Sequence, residues 1–187
     1  MSSGPATLRT LAAVPDRGDL ATGVELASAQ THGRAASSWR LYLQQLDAGV
    51  HPAHGHASDT LLSPLDAPLM IGDPAARPLL RLQVAHATAG QSLHIAEPTR
   101  IVRLERDRPD DVELIARPLQ GPMLLPTAGQ GWLAWLLTGH AEVRLGEAGW
   151  ELPANAPAWL PAEADRRLRL EGGGEVLLVR FRMLPAV

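Results

Sequence analysis

The residues best suited to chemistry in this chain fall in one short run, His51-Pro52-Ala53-His54-Gly55-His56, with Asp59 just beyond it. Neutral imidazoles are good ligands for zinc, nickel or iron, and a carboxylate often completes such a set. Pro52 and the small residues between the imidazoles read equally as an exposed loop, where histidine is ordinary. The solvated-loop reading is preferred, so no metal and no cofactor is expected, and His51, His54 and His56 stand as the alternative ligand set. No histidine lies between His140 and the C-terminus, so the second half offers no metal-ligating group of this kind.

A second candidate is a charged pair. Glu113 and Arg117 fall on one face of the alternating run Val112–Arg117. Facing a pocket, the Arg117 guanidinium would grip a small carboxylate through two parallel hydrogen bonds. Facing water, the two are an ordinary solvated pair worth little. The common catalytic signatures are missing: there is no Gly-x-Ser-x-Gly elbow, no phosphate-cradling loop and no dinucleotide fingerprint.

The elements that must position these groups read as strands. Ala141, Val143 and Leu145 alternate with Glu142 and Arg144, and Leu177, Val179, Phe181 and Met183 with Arg180 and Arg182. Leu80, Leu82 and Val84 alternate with Arg81 and Gln83, and Leu168 and Leu170 with Arg167 and Arg169. A two-residue period puts one set of side chains on each face of a sheet. Gly and Pro, 17 and 16 in number, punctuate the chain into pieces too short for many helices. Gly146–Gly149 and Gly172–Gly174 read as hairpin connections. Trp39, Tyr42, Leu43 and Leu46 fit two turns of helix, while Trp39, Leu41 and Leu43 fit a strand equally well. The charged segment Glu105–Asp110 reads as a solvated connection between two halves.

Composition bounds the rest. The 187 residues carry a net charge of −3 and no lysine, so no broad basic field exists to attract nucleic acid. There is no cysteine, which excludes disulfides and thiolate chemistry. Met1–Thr10 lacks a basic and apolar leader and no apolar run spans a bilayer, so the cytoplasm is the expected compartment and no membrane partner is expected.

Longer stretches carry a resemblance. Leu136–Val143, followed by Trp150-Glu151-Leu152-Pro153 and Ala158-Trp159-Leu160-Pro161, looks like the strand–turn–strand core of a cupin, with a first strand ending at Gly139. Ser38-Trp39-Arg40-Leu41, Gly49–Asp59 with Leu61-Leu62, and Asp111–Arg117 resemble, in order, segments of the HutD/Ves family. Thr60 stands where that family has arginine and Glu113 where it has asparagine, so its pocket is altered here. The resemblance implies an all-β bicupin, two fused double-stranded β-helix halves at 7–105 and 106–185, with Trp39 on a strand. It also implies a ligand set of Trp39, Arg40, Asp111, Glu113 and Arg117 and admits a homodimer. The function expected is the binding of a small polar or anionic metabolite, such as a carboxylate, in an accessory or regulatory role. The alternatives are a metal-dependent isomerase or dioxygenase-like enzyme using the histidine cluster, and a scaffold whose barrels are filled by side chains such as Trp132, Trp135, Trp150 and Trp159.

Overall fold

Period-two patterning, with turns at most glycines, yields a chain made almost wholly of antiparallel strands. The computed structural model describes residues 7–14, 23–53, 59–154, 156–162 and 167–185. In chain order these form β1 (Arg9–Thr10), β2 (Val24–Ser28), the one-turn helix α1 (Ala29–His32), β3 (Trp39–Leu46), β4 (Gly49–Pro52) and β5 (Asp59–Pro64). There follow β6 (Leu69–Ile71), β7 (Ala85–Ala87), β8 (Ser92–Ile95), β9 (Thr99–Arg106), β10 (Val112–Gln120) and β11 (Met123–Leu125). The last four are β12 (Gln130–Leu145), β13 (Ala148–Glu151), β14 (Ala158–Trp159) and β15 (Leu168–Arg182).

Three sheets result. One runs β2-β3-β9-β5-β7, a second β4-β8-β6, and the third β1-β14-β12-β15-β10, with β11 on β15 and β13 on β12. The N-terminal β1 thus pairs with β14, far along the chain.

Apolar side chains from these sheets make three cores. Leu41, Leu43, Val102 and Leu104 meet Leu133, Trp135, Leu177 and Val179 where the two large sheets pack face to face. Leu46, Leu62 and Ile101 meet Leu69, Leu93 and Ile95 between the five- and three-stranded sheets. The seven-stranded sheet gathers Trp132, Ala134, Leu136, Val143, Leu170, Val176 and Leu178 on its other face. Burial of apolar area, at about 25 cal/mol per Å², is the dominant favourable term in each.

Several sequence expectations change here. Trp39–Leu46 is a strand, because it pairs with β2 on one side and β9 on the other, with Trp39 opposite Arg106 in register. Leu80–Gln83 is a turn and not a strand: Gln83 N–H donates to Leu80 O at 3.0 Å and Leu82 sits at φ 61°. Gly172–Gly174 is no hairpin, because β15 runs straight through it. Glycine is needed there for close approach, since a Cβ on Gly172 would lie 2.1 Å from His140 O in β12. Nor does a strand end at Gly139, which lies within β12 just after a register shift between Leu136 and Thr138. Gly146 does turn β12 into β13 as expected. Glu105 and Arg106 are buried in β9, and only Asp107–Asp110 is exposed, so the charged segment is not solvated throughout.

Two polar contacts tie distant elements together. Arg81, in the turn after β6, donates to Leu65 O at 2.6 Å and grips the Glu175 carboxylate of β15 with two guanidinium nitrogens. That grip, with a bond from Thr138, holds the Glu175 carboxyl below its usual range against a smaller opposing effect of burial. His32 packs edge-on against Trp159 and Phe181 at ring-centroid distances of 4.9 and 4.6 Å. Burial, and then the Arg9 and Arg34 charges, lower its pKa from 6.5 to about 4.

Both shifts push stability the same way with pH. A base or an acid whose folded pKa lies below its unfolded value binds more protons when unfolded. The His32 contribution is therefore complete above pH 6.5 and lost as pH falls toward 4. The Glu175 contribution is complete above the unfolded carboxylate range and lost at still lower pH. Thermal melts should show the midpoint dropping from pH 6.5 to 4, and His32→Phe should flatten that slope. An unchanged slope in His32→Phe would remove His32 as its cause.

Candidate ligand site

Residues directly opposite in antiparallel strands share a face. The registers of the five-stranded sheet therefore place Ser28, Arg40, Glu105, Thr60 and Ala87 in one row. The next row is Glu25, Tyr42, Arg103, Leu62 and Ala85. Further along the same face come Gln44 and Ile101, then Leu46 and Thr99. One face thus passes from apolar, against the three-stranded sheet, to polar at the end where β2, β3 and β9 meet α1.

At that polar end lies a cleft of about 290 Å³ lined by Ser28, Gln30, Trp39, Arg40, Glu105 and Asp107, among others. Arg40 donates to Tyr42 Oη at 3.4 Å and lies 4.0 Å from the Glu25 carboxylate, and these partners raise its pKa. Glu105 is 8 % exposed and Thr60 fully buried.

Arg103 is the unusual residue. It lies one row deeper than Glu105, and its Nη2 reaches β4 to donate to Pro52 O at 3.3 Å. Its Nε is buried and has no hydrogen-bond partner among the described residues, and the same holds for Thr60 Oγ1. Burial pulls the Arg103 pKa down, and the nearby Glu105 carboxylate partly offsets this. Arginine stays charged in proteins, so the result is a half-buried guanidinium whose Nε donor is buried and unspent among the described residues. An anion is the natural complement.

The expected site residues do not converge. Arg40 lines the cleft. Trp39 touches its wall, but its ring packs on Trp159 and Phe181 at 5.8 and 5.4 Å in the core. Asp111 is buried and bonds Arg182 Nε at 3.2 Å beside a different hollow. Glu113 pairs with Arg180 at 2.8 Å and not with Arg117. Arg117 is exposed, and its Nε donates to Pro118 O at 3.4 Å. Of the histidine cluster, His51 lies on β4 with Nε2 2.9 Å from Asp47 O. His54 and His56 fall outside the described residues. Among the described residues no group of three or more His, Asp and Glu side chains is disposed to hold a metal ion.

Asp59 has its own network. Its carboxylate takes Arg106 Nε at 3.2 Å and His86 Nε2 at 2.9 Å, while Arg106 Nη1 also donates to Pro109 O at 2.9 Å and to Val112 O.

No family model matches the chain, and no curated protein matches it either. Solved structures do. A protein of unknown function from Pseudomonas aeruginosa PAO1, PA5104, is 17% identical with a TM-score of 0.68, over 96% of this chain and 100% of that one. Ylba from E. coli is 11% identical at 0.61, over 88% and 84%. HutD from Pseudomonas fluorescens SBW25 is 14% identical at 0.57, over 95% and 100%. The fold is that of the cupin jelly rolls. At these identities the likeness extends to fold alone. The face carrying Arg40, Tyr42, Arg103 and Glu105 is the one whose apolar end packs on the three-stranded sheet. The seven-stranded sheet instead gathers Trp132, Leu136, Val176 and Leu178 on its face away from the five-stranded sheet. Trp135 and Trp159, expected among barrel-filling side chains, sit between the two large sheets.

Sequence reasoning missed Arg103 and Tyr42, and marked Thr60 only as a departure from the HutD/Ves pattern. Arg103 and Glu105 alternate with Val102 and Leu104, which is the pattern of a strand with one face in water.

Proposed function

We propose that this chain is a bicupin of the HutD/Ves kind that binds a small carboxylate at the polar end of the β3–β9–β5 face, without a metal and without catalysing a reaction. Its two halves are 7–105 and 106–185, with β1 of the first exchanged into the sheet of the second. A cytoplasmic accessory or regulatory protein is the role that suits this reading. The observation that carries it is the buried Arg103 Nε–H with no acceptor among the described residues. An unmade hydrogen bond of this kind costs about 1–3 kcal/mol, and more at a charged group, and a bound carboxylate restores it. Thr60 Oγ1 supplies a second unspent hydroxyl on the neighbouring row. The order of sequence segments from Ser38 to Arg117 and the cupin-like neighbours, HutD among them, support the kinship. That HutD structure is described as a formate condition, and formate is the smallest carboxylate.

Thermal melts with formate, acetate and succinate test the proposal. A ligand at 100 times its Kd adds about 2.7 kcal/mol, which is roughly 5–10 °C for a chain of this size. Stabilisation by one or more carboxylates, and none by methylammonium, is expected. Equal effects of anion and cation would refute it.

A further inference from the structure

A second hollow, of about 430 Å³, lies on the edge of the five-stranded sheet where β7 faces the β6–β7 connection. Its polar lining is Arg77, Gln83, Gln91 and His86, and Ile71 and Leu79 are among its apolar walls.

The orientation of the two glutamines follows from chemistry. Leu80 N–H donates to Gln83 Oε1 at 3.0 Å, and Thr88 N–H donates to Gln91 Oε1 at 2.9 Å. A backbone N–H needs an acceptor, so the oxygen of each amide is fixed on the backbone. What each side chain has left to offer is its NH₂ group, a pure donor. Arg77 is exposed and adds a guanidinium. The ring of His86 is anchored from behind by the 2.9 Å contact to Asp59, itself braced by Arg106.

The turn that presents Gln83 is itself held. Leu82 has φ 61°, a left-handed conformation costing a non-glycine residue roughly 1 kcal/mol or more. Leu82 N–H donates to Pro64 O at 3.1 Å, and the adjacent Arg81 is clamped by Leu65 O and Glu175. Gln83 therefore stands on a preorganised turn.

We infer that this hollow is a second ligand site, for an organic carboxylate with a small apolar body. Arg77 and the Gln83 and Gln91 amides take the carboxylate, and Ile71 and Leu79 cover the apolar part. The hollow lies at the β7 edge, with Leu62 between Arg103 and the lining Ala85 in their shared row, and needs no ligand at Arg103.

The test is an NMR titration of the full chain with butyrate, reading the side-chain amide signals of Gln83 and Gln91. Saturable shifts are expected, with butyrate affinity falling about tenfold or more in Arg77→Ala, since a charge-assisted pair is lost. Arg77 is exposed, so the rest of the spectrum should be preserved. Arg103→Met should leave the Gln83 and Gln91 response intact, which separates this site from the first. Unmoved amide signals, unchanged affinity in Arg77→Ala, or an equal response to butylammonium would overturn the inference.

Discussion

Asp59→Ala should cost about 3–5 kcal/mol of folding stability, the penalty for stranding one partner of a buried ion pair. Asp59 and Arg106 are 8 % and 9 % exposed, and the guanidinium meets the carboxylate at 3.2 and 3.4 Å. Removing the carboxylate leaves a buried positive charge with only the Pro109 and Val112 carbonyls. Urea denaturation of the variant measures the loss directly. Because Arg106 spans from β9 to the start of β10, the loss should be global, with one transition at lower denaturant. A cost below about 1 kcal/mol, the scale of an exposed pair, would mean that those carbonyls suffice for Arg106.

Arg103→Met should act with the opposite sign on stability and remove ligand binding. The half-buried Arg103 carries a buried Nε–H with no partner among the described residues, so an apolar replacement of similar length is expected to be neutral or stabilising by about 1–3 kcal/mol, the cost of the stranded donor it removes. Stabilisation by formate, which has no apolar body for the β7-edge hollow to cover, should vanish in the same variant. Melts with and without ligand give both numbers from one set of samples. A destabilised Arg103→Met comparable to Asp59→Ala would recast Arg103 as a brace between β9 and Pro52 O, and a retained ligand response would remove it from the site.

These two arginines also show what the sequence could and could not disclose. The fold class was legible because Ala141, Val143 and Leu145 and Leu177, Val179 and Phe181 keep a strict period of two, and each set is buried. The strand nature of Trp39–Leu46 was open to either period and was settled by pairing with β9, more than 50 residues away. Leu80–Val84 has a strand's alternation but folds as a turn, because Arg81 finds Glu175 across a separation of 94 residues. Gly172–Gly174 has a turn's composition, yet its function is to let β15 pass close to β12. Arg103 looks like a water-facing charge because one-dimensional alternation cannot tell a sheet face in solvent from one covered by a second sheet. The candidate residues Asp111, Glu113 and Arg117 were reasonable by type, but their partners, Arg182, Arg180 and Pro118 O, lie on other elements or on the chain itself.

The central claim rests on one atom, and it can be watched. The Arg103 Nε–H resonance, assigned by its loss in Arg103→Lys, should be followed in a ¹⁵N-labelled sample during titration with formate and then with whichever carboxylate stabilises most. A downfield shift that saturates with the same affinity as the thermal stabilisation is the predicted result. Stabilisation by formate while the Arg103 Nε–H signal stays in place would contradict the account.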